Sequence, residues 1–147
     1  MGIFEREYRA TAFVPASPKA TWAVLVDLER YAEWNPFTIQ VDSTLEPGTP
    51  VVMRVNLSWI TLTQTEQVRQ VVPYERLVWG IPRLMPWLLR AERVQTITPS
   101  EGGCIYTTVD TIGGLLLPLV HLMFGRPLDR GFRGVAVALA ERVTRVG

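Results

Sequence analysis

Five polar residues have the types and spacing to do chemistry together: Arg93 and Gln95 in "LLRAERVQTIT", and Tyr106, Thr108 and Asp110 in "CIYTTVDTI". Both runs alternate as strands do, and the glycine-rich turn "PSEGG" between them marks a hairpin. Side chains along a strand point to opposite faces in turn, so if Ile97 faces inward, Gln95, Arg93 and Ala91 face inward with it. Tyr106, Thr108, Asp110 and Ile112 form the matching set on the partner strand. Closing the turn over residues 99 to 104 sets Ile97 opposite Tyr106, Gln95 opposite Thr108 and Arg93 opposite Asp110.

An arginine and an aspartate paired on an otherwise apolar face would be partly desolvated, and three readings of that pair stand open. It can be a structural ion pair that adds specificity and little stability. It can be part of a polar end in a greasy pocket, where Arg93, Gln95, Thr108 and Tyr106 orient a hydroxyl, carbonyl or carboxylate. Or it can be catalytic, with Asp110 as base, Tyr106 as acid and Arg93 stabilising an enolate, a set suited to aldol-type cyclisation or dehydration. Against the last, a carboxylate held by arginine is pushed to lower pKa, the wrong direction for a base near neutral pH.

Composition removes other chemistries. With 147 residues the chain fits one domain, 1–147, and 48% apolar with 20% charged residues is a globular balance. A formal charge of +1 implies no bulk attraction to nucleic acid or to anionic lipid. One cysteine, Cys104, and one histidine, His121, leave almost no material for a disulfide, a zinc site, haem ligation or a Ser-His-Asp triad, so neither metal nor cofactor is expected. "MGIFEREYRA" lacks the apolar centre of a signal peptide. The longest apolar run, "IGGLLLPLVHLMF", has 13 residues and is too short to span a bilayer. The expectation is a cytoplasmic protein without stable membrane insertion, monomeric or a weak homodimer.

The elements that must position these residues follow from period and punctuation. Residues 3 to 14 alternate as a strand. Ser17 is a good N-cap and Pro18 suits a first helical position; "KATWAVLVDLERY" then sets Trp22, Leu25 or Val26, and Leu28 on one helical face, and "EWNP" ends the helical region. Six further strands are predicted at 38–45, 50–59, 61–72, 76–81, 88–98 and 104–112. From Leu115 apolar residues recur at three- and four-residue steps through Val120, Met123, Phe124, Leu128, Phe132, Val135, Leu139 and Val143, a long amphipathic helix. Gly125, Pro127, Gly131 and Gly134 predict a kink or break near its middle. Consecutive antiparallel strands need one face covered, and a single long helix over a strongly curved sheet leaves a cavity.

The stretch "VPASPKATWAVLVDLERYAEWNP", followed in order by Pro47-Gly48, "VVPYERLVWG" and "EGGCIYTTVDTIGG", resembles the START-like (SRPBCC) superfamily in its polyketide cyclase/dehydrase branch. The similarity covers nearly the whole chain, and no motif in it is catalytic. It implies an α+β helix-grip fold: a seven-stranded curved antiparallel sheet wrapped around a long C-terminal helix, two short helices between strands one and two, and a lipophilic cavity. The function implied is binding of a hydrophobic small molecule such as a lipid or polyketide. The alternatives are a cyclase/dehydratase working in the same cavity and an interaction module with its interior filled.

On that fold the loop holding Trp34 and Phe37 rims the cavity, with Trp34 either a core plug or a ligand contact. Leu77, Trp79 and Ile81 form the inward set of strand five, and Val51, Met53, Val55 and Leu57 that of strand three. Gln64, Glu66 and Gln70 share parity with Leu62, Val68 and Val72, so Glu66 faces the cavity unless a bulge turns it out. The candidate ligand-binding set is therefore Trp34, Phe37, Met53, Val55, Glu66, Trp79, Arg93, Gln95, Tyr106, Thr108, Asp110 and Met123. His121 reads as a packing or surface residue, and Cys104 lacks the basic neighbours of a reactive thiolate. The apolar residues from Leu115 to Phe124 exceed what one buried helix face requires, so part of the stretch either lies beneath the entrance loops or is exposed as a dimer interface or a site of transient membrane contact; the resemblance implies a short lid or the first turns of the gripping helix, and burial is the expectation.

Overall fold

The computed structural model describes residues 5–146. Residues 3 and 4, predicted to open the first strand, lie outside the described residues. Strand β1 (Glu5–Val14) leads to helix α1 (Pro18–Leu25), where the Ser17 hydroxyl accepts the Ala20 amide proton at 3.1 Å and Pro18 occupies the first turn. A 3₁₀ segment (Leu28–Glu33) completes the pair of short helices. Together they carry the chain to the far edge of the sheet, where β2 (Thr38–Asp42) begins.

From β2 the chain proceeds by antiparallel hairpins through β3 (Pro50–Asn56), β4 (Thr61–Val72), β5 (Arg76–Gly80), β6 (Arg90–Ser100) and β7 (Gly103–Gly113). Strand β1 pairs with β7, giving the order β1-β7-β6-β5-β4-β3-β2 with β1 and β2 at the edges. Helix α2 (Leu117–Val146) lies in the concavity and buries Phe132, Val135, Leu139 and Val143 in one core cluster with Val51, Val68, Leu77, Ile97 and Tyr106 of the sheet. Each such apolar side chain contributes roughly 1.5–3 kcal/mol on leaving water, which is what holds a single helix on a curved sheet. The arrangement is the α+β helix grip.

Three local expectations are corrected. Strands two and three are shorter than alternation suggests, because the backbone turns through positive φ at Leu45 (58°) and Ser58 (75°). Helix α2 is continuous for 30 residues with Pro127 inside it, so the predicted break is absent. The proline removes one N–H from the helix ladder, but buried residues on both sides of it keep the two halves docked on one sheet. The third correction is a bulge in β4: register runs Val68 opposite Trp79, then Gln70 opposite Val78, leaving Arg69 as the extra residue. Beyond it the faces exchange, so Val71 rather than Val72 stands opposite the inward Leu77, and Gln70 turns outward to accept a bond from Arg76. Glu66 precedes the bulge and stays inward.

Candidate functional site

Between the sheet and the first half of α2 is a cavity of about 330 Å³. Its walls are Met53 and Val55 of β3, Leu62, Gln64 and Glu66 of β4, Trp79 of β5, Ala91 and Arg93 of β6, and Asp110 and Ile112 of β7. Helix α2 contributes Val120, Phe124, Leu128 and Phe132, and Phe37 closes one end. Most of the lining is apolar; its polar members are Thr38, Thr63 and a group of four, Arg93, Asp110, Glu66 and Gln64.

Phe37 is held by an unusual amount of local structure. The buried Asn35 side chain accepts the amide protons of Phe37 (3.0 Å) and Thr38 (2.8 Å), which fixes the turn after the 3₁₀ segment. The Phe37 ring then packs edge-on against Phe132, centroids 4.9 Å apart, and directly over the backbone of Gly131. A methyl group at Gly131 would lie 2.2 Å from Phe37 Cδ1, so a glycine is required at that helix position.

The last hairpin has the register that alternation predicts: Ile97 opposite Tyr106, Gln95 opposite Thr108, Arg93 opposite Asp110. The ion pair expected of the last couple does not form. Arg93 Nε donates instead to the Thr108 hydroxyl at 2.9 Å, its guanidinium lies over the Phe132 ring at 5.0 Å from the centroid, and Nη2 is buried with no hydrogen-bond partner. The side chain thus runs diagonally along β7 and leaves the Asp110 carboxyl facing the cavity.

Burial dominates the electrostatics of the two acids. Desolvation pushes Asp110 up to about 7, with Arg93 opposing only in part. Glu66 is also pushed up to about 7, by desolvation first and then by the negative charge of Asp110, while Arg93 and Arg69 pull the other way. Gln64 donates to Glu66 at 3.0 Å. Two carboxyl groups able to hold or release a proton near neutral pH therefore share the cavity with one arginine.

Of the predicted set, the structure brings Phe37, Met53, Val55, Glu66, Trp79, Arg93 and Asp110 onto the cavity wall. Gln95, Tyr106 and Thr108 are inward but fully buried below it: the Tyr106 hydroxyl donates to Gln95 Oε1, and burial raises its pKa. Tyr106 is therefore misplaced as the proposed acid. Trp34 does not reach the cavity; it packs edge-on against Tyr31 at 5.0 Å. Met123 is 45% exposed and off the wall, because the lining residues of α2 are Val120, Phe124, Leu128 and Phe132. Their uniform four-residue spacing is the signal that separates them from Met123. His121 Nδ1 lies 3.0 Å from the Tyr8 hydroxyl, and the buried Cys104 lies 3.2 Å from the Thr21 hydroxyl. Among the described residues, no group of three or more His, Cys, Asp or Glu is placed to hold a metal ion, and no helix is long and apolar enough to cross a membrane.

A family model described as "Polyketide cyclase / dehydrase and lipid transport" matches residues 5–144. Among solved structures, the chain is similar to a protein from Thermus thermophilus, TTHA0849, with a TM-score of 0.76 at 16% identity over 97% of this chain and 99% of that one. It is similar to the Zhui aromatase/cyclase from a Streptomyces species, TM-score 0.74 at 16% identity, covering 96% and 94%. A START superfamily protein from Mycobacterium smegmatis gives 0.73 at 18% identity, covering 96% and 99%. At these identities the likeness concerns the fold. Against curated proteins the sequence has no match.

Proposed function

We propose, from the premise that this chain belongs to the polyketide cyclase / dehydrase and lipid transport family, that its cavity binds a lipophilic small molecule carrying one hydrogen-bond-accepting end. Membership makes it a hydrophobic-ligand-binding domain of the START and polyketide-cyclase type; the polar end is our own reading. The observation that supports it is Arg93 Nη2, a charged donor with no hydrogen-bond partner on the wall of a mostly apolar cavity. A buried donor left unpaired costs roughly 1–3 kcal/mol, and a ligand carbonyl or ionised acid would remove that cost. At about 330 Å³ the interior falls within the range of ligand pockets, which argues against an interaction module with a filled core. The test is titration of a fluorescent long-chain carboxylic acid and of an analogue lacking the carboxyl. Arg93→Met is expected to weaken the acid about tenfold or more and leave the analogue unchanged; equal affinity for the acid in both proteins would overturn the reading.

A second reading is supported by the two carboxyl groups poised near neutral pH. Asp110 and Glu66 have the proton affinity for general acid and base work, and Arg93 could stabilise an enolate between them. The solved aromatase/cyclase shares this fold. Under this reading, turnover of a poly-β-ketone substrate disappears in both Asp110→Asn and Glu66→Gln. Activity surviving both substitutions removes it.

A further inference from the structure

Around the cavity mouth the apolar surface is turned outward. The β3–β4 tip exposes Trp59 (61%), the β5–β6 loop exposes Leu84 (85%) and Trp87 (61%), and the first turns of α2 expose Leu119 (53%) and Leu122 (83%). These three segments are in contact. The Trp59 ring stacks on Phe124 with centroids 5.6 Å apart, and the amides of Leu115 and Leu116 donate to the carbonyls of Trp87 (3.0 Å) and Leu88 (2.9 Å). The same segments supply Leu62, Leu89 and Phe124 to the cavity wall, so the exposed patch and the interior lining are continuous.

Charge identifies what covers this patch. Residues 57–62, 81–91 and 112–128 contain no Asp or Glu but do contain Arg83, Arg90 and Arg126. Arg90 is neutralised by Glu5, and Glu92 is shared by Arg83 and Arg69, leaving that cluster one positive charge in excess. Arg126 is exposed with no ion pair among the described residues. A second copy placed here by a two-fold axis would set this surface, positive in excess, against itself. An anionic lipid surface meets it differently: leucines enter the acyl boundary, indole rings sit at the headgroup level, and arginines reach phosphates.

We infer that the tip of the β3–β4 hairpin, the β5–β6 loop and the first turns of α2 form a docking surface for anionic lipid bilayers. Docked this way, the protein places its cavity mouth against the acyl phase; that benefit rests on the ligand-binding reading, whereas the docking does not. The experiment is flotation of the purified full chain with vesicles of phosphatidylcholine alone or mixed with phosphatidylglycerol. Wild type is expected to float with the mixed vesicles, and less with phosphatidylcholine. The Trp87→Ser/Leu122→Ser double variant should lose about tenfold or more of that binding, since each side chain leaves an apolar contact. Arg126→Glu should weaken binding to the mixed vesicles only, as should raising ionic strength from about 0.1 M to about 1 M. If the double variant fails to fold, as judged by near-ultraviolet circular dichroism, Leu122→Ser alone serves, on a well-solvated side chain. Wild type that floats with neither vesicle, or variants that float as wild type does, would overturn the inference. So would a solution dimer that the double variant dissociates with no vesicle binding, which would assign the patch to a second copy. Titration of the carboxylic-acid probe without vesicles reads the cavity separately, so failure of either idea leaves the other measured.

Discussion

Arg93 and Asp110 stand directly opposite each other on β6 and β7, yet the guanidinium bonds to Thr108 and covers Phe132 instead of meeting the carboxylate. The cavity consequently contains a cation and an acid that are neighbours without being partners. Each is available to something else, and most of the expected behaviour follows from that.

Stability should fall as pH rises through neutrality. Glu66 and Asp110 have folded-state values near 7, above the 4.5 and 3.8 of exposed carboxyls, so the native protein holds protons that the unfolded chain has released. The stabilising contribution is complete below about pH 4 and is lost as pH climbs through about 7. Asp110→Asn, which is never ionised, should gain about 2–4 kcal/mol over wild type at pH 8, roughly 4–16 °C in Tm, and less than half of that at pH 5, where the unfolded carboxyl is already ionised and the folded one is not. Thermal melts at the two pH values check this, and equal gains at both would contradict it.

Removing Arg93 should move that window upward. Its charge holds both acids down, so in Arg93→Met the Glu66 and Asp110 carboxyls should titrate above 7. Carbon-13 carboxyl titration by NMR reads the two midpoints directly. Unchanged midpoints would mean that Arg93 is too well screened to influence the cavity.

Glycines 131 and 134 should respond in opposite directions to alanine. Both lie in α2, where alanine favours the helix by about 1 kcal/mol. At Gly134 the added methyl meets only Pro36 Cγ at 3.4 Å, so Gly134→Ala should be neutral or slightly stabilising. At Gly131 it collides with the Phe37 ring, and Gly131→Ala should cost about 1–3 kcal/mol despite the better propensity. Denaturant unfolding of the pair separates steric cost from propensity.

Tyr106→Phe should act on stability and hardly on ligand binding. The hydroxyl is bonded to Gln95 beneath the cavity, and its loss leaves a buried amide oxygen unpaired, a cost of roughly 1–3 kcal/mol. Affinity for the carboxylic-acid probe should stay within about twofold, a few tenths of a kcal/mol. A large loss of affinity with unchanged stability would return Tyr106 to the binding site.

What is legible in the sequence is whatever a period of two or of 3.6 encodes. The hairpin from Arg93 to Asp110 can be registered in advance because Gly102 and Gly103 mark its turn and the alternation on both sides is clean. The extra residue at Arg69 leaves no such trace: a bulge preserves composition and changes only pairing, so simple alternation puts Gln70 and Val72 on the wrong face. Met123 resembles a lining residue because three- and four-residue steps overlap on a helix, and one residue of rotation is about 100°. The direction of the Arg93 side chain is invisible for a different reason. Alternation fixes a face, whereas the choice between Asp110 and Thr108 is made by rotamers and by the Phe132 ring, which arrives from a helix remote in sequence.

Pro127 gives the long helix an internal border. Before it the helix displays Leu119 and Leu122 to the outside while Val120 and Phe124 line the cavity, and past it Leu128 and Phe132 continue that wall. The two faces of the first half answer to different surroundings, so the outward leucines can be rewritten without touching the inward row. Exchanging Leu119 and Leu122 alone would therefore alter what the outer surface meets and leave the cavity row of Val120, Phe124, Leu128 and Phe132 as it is.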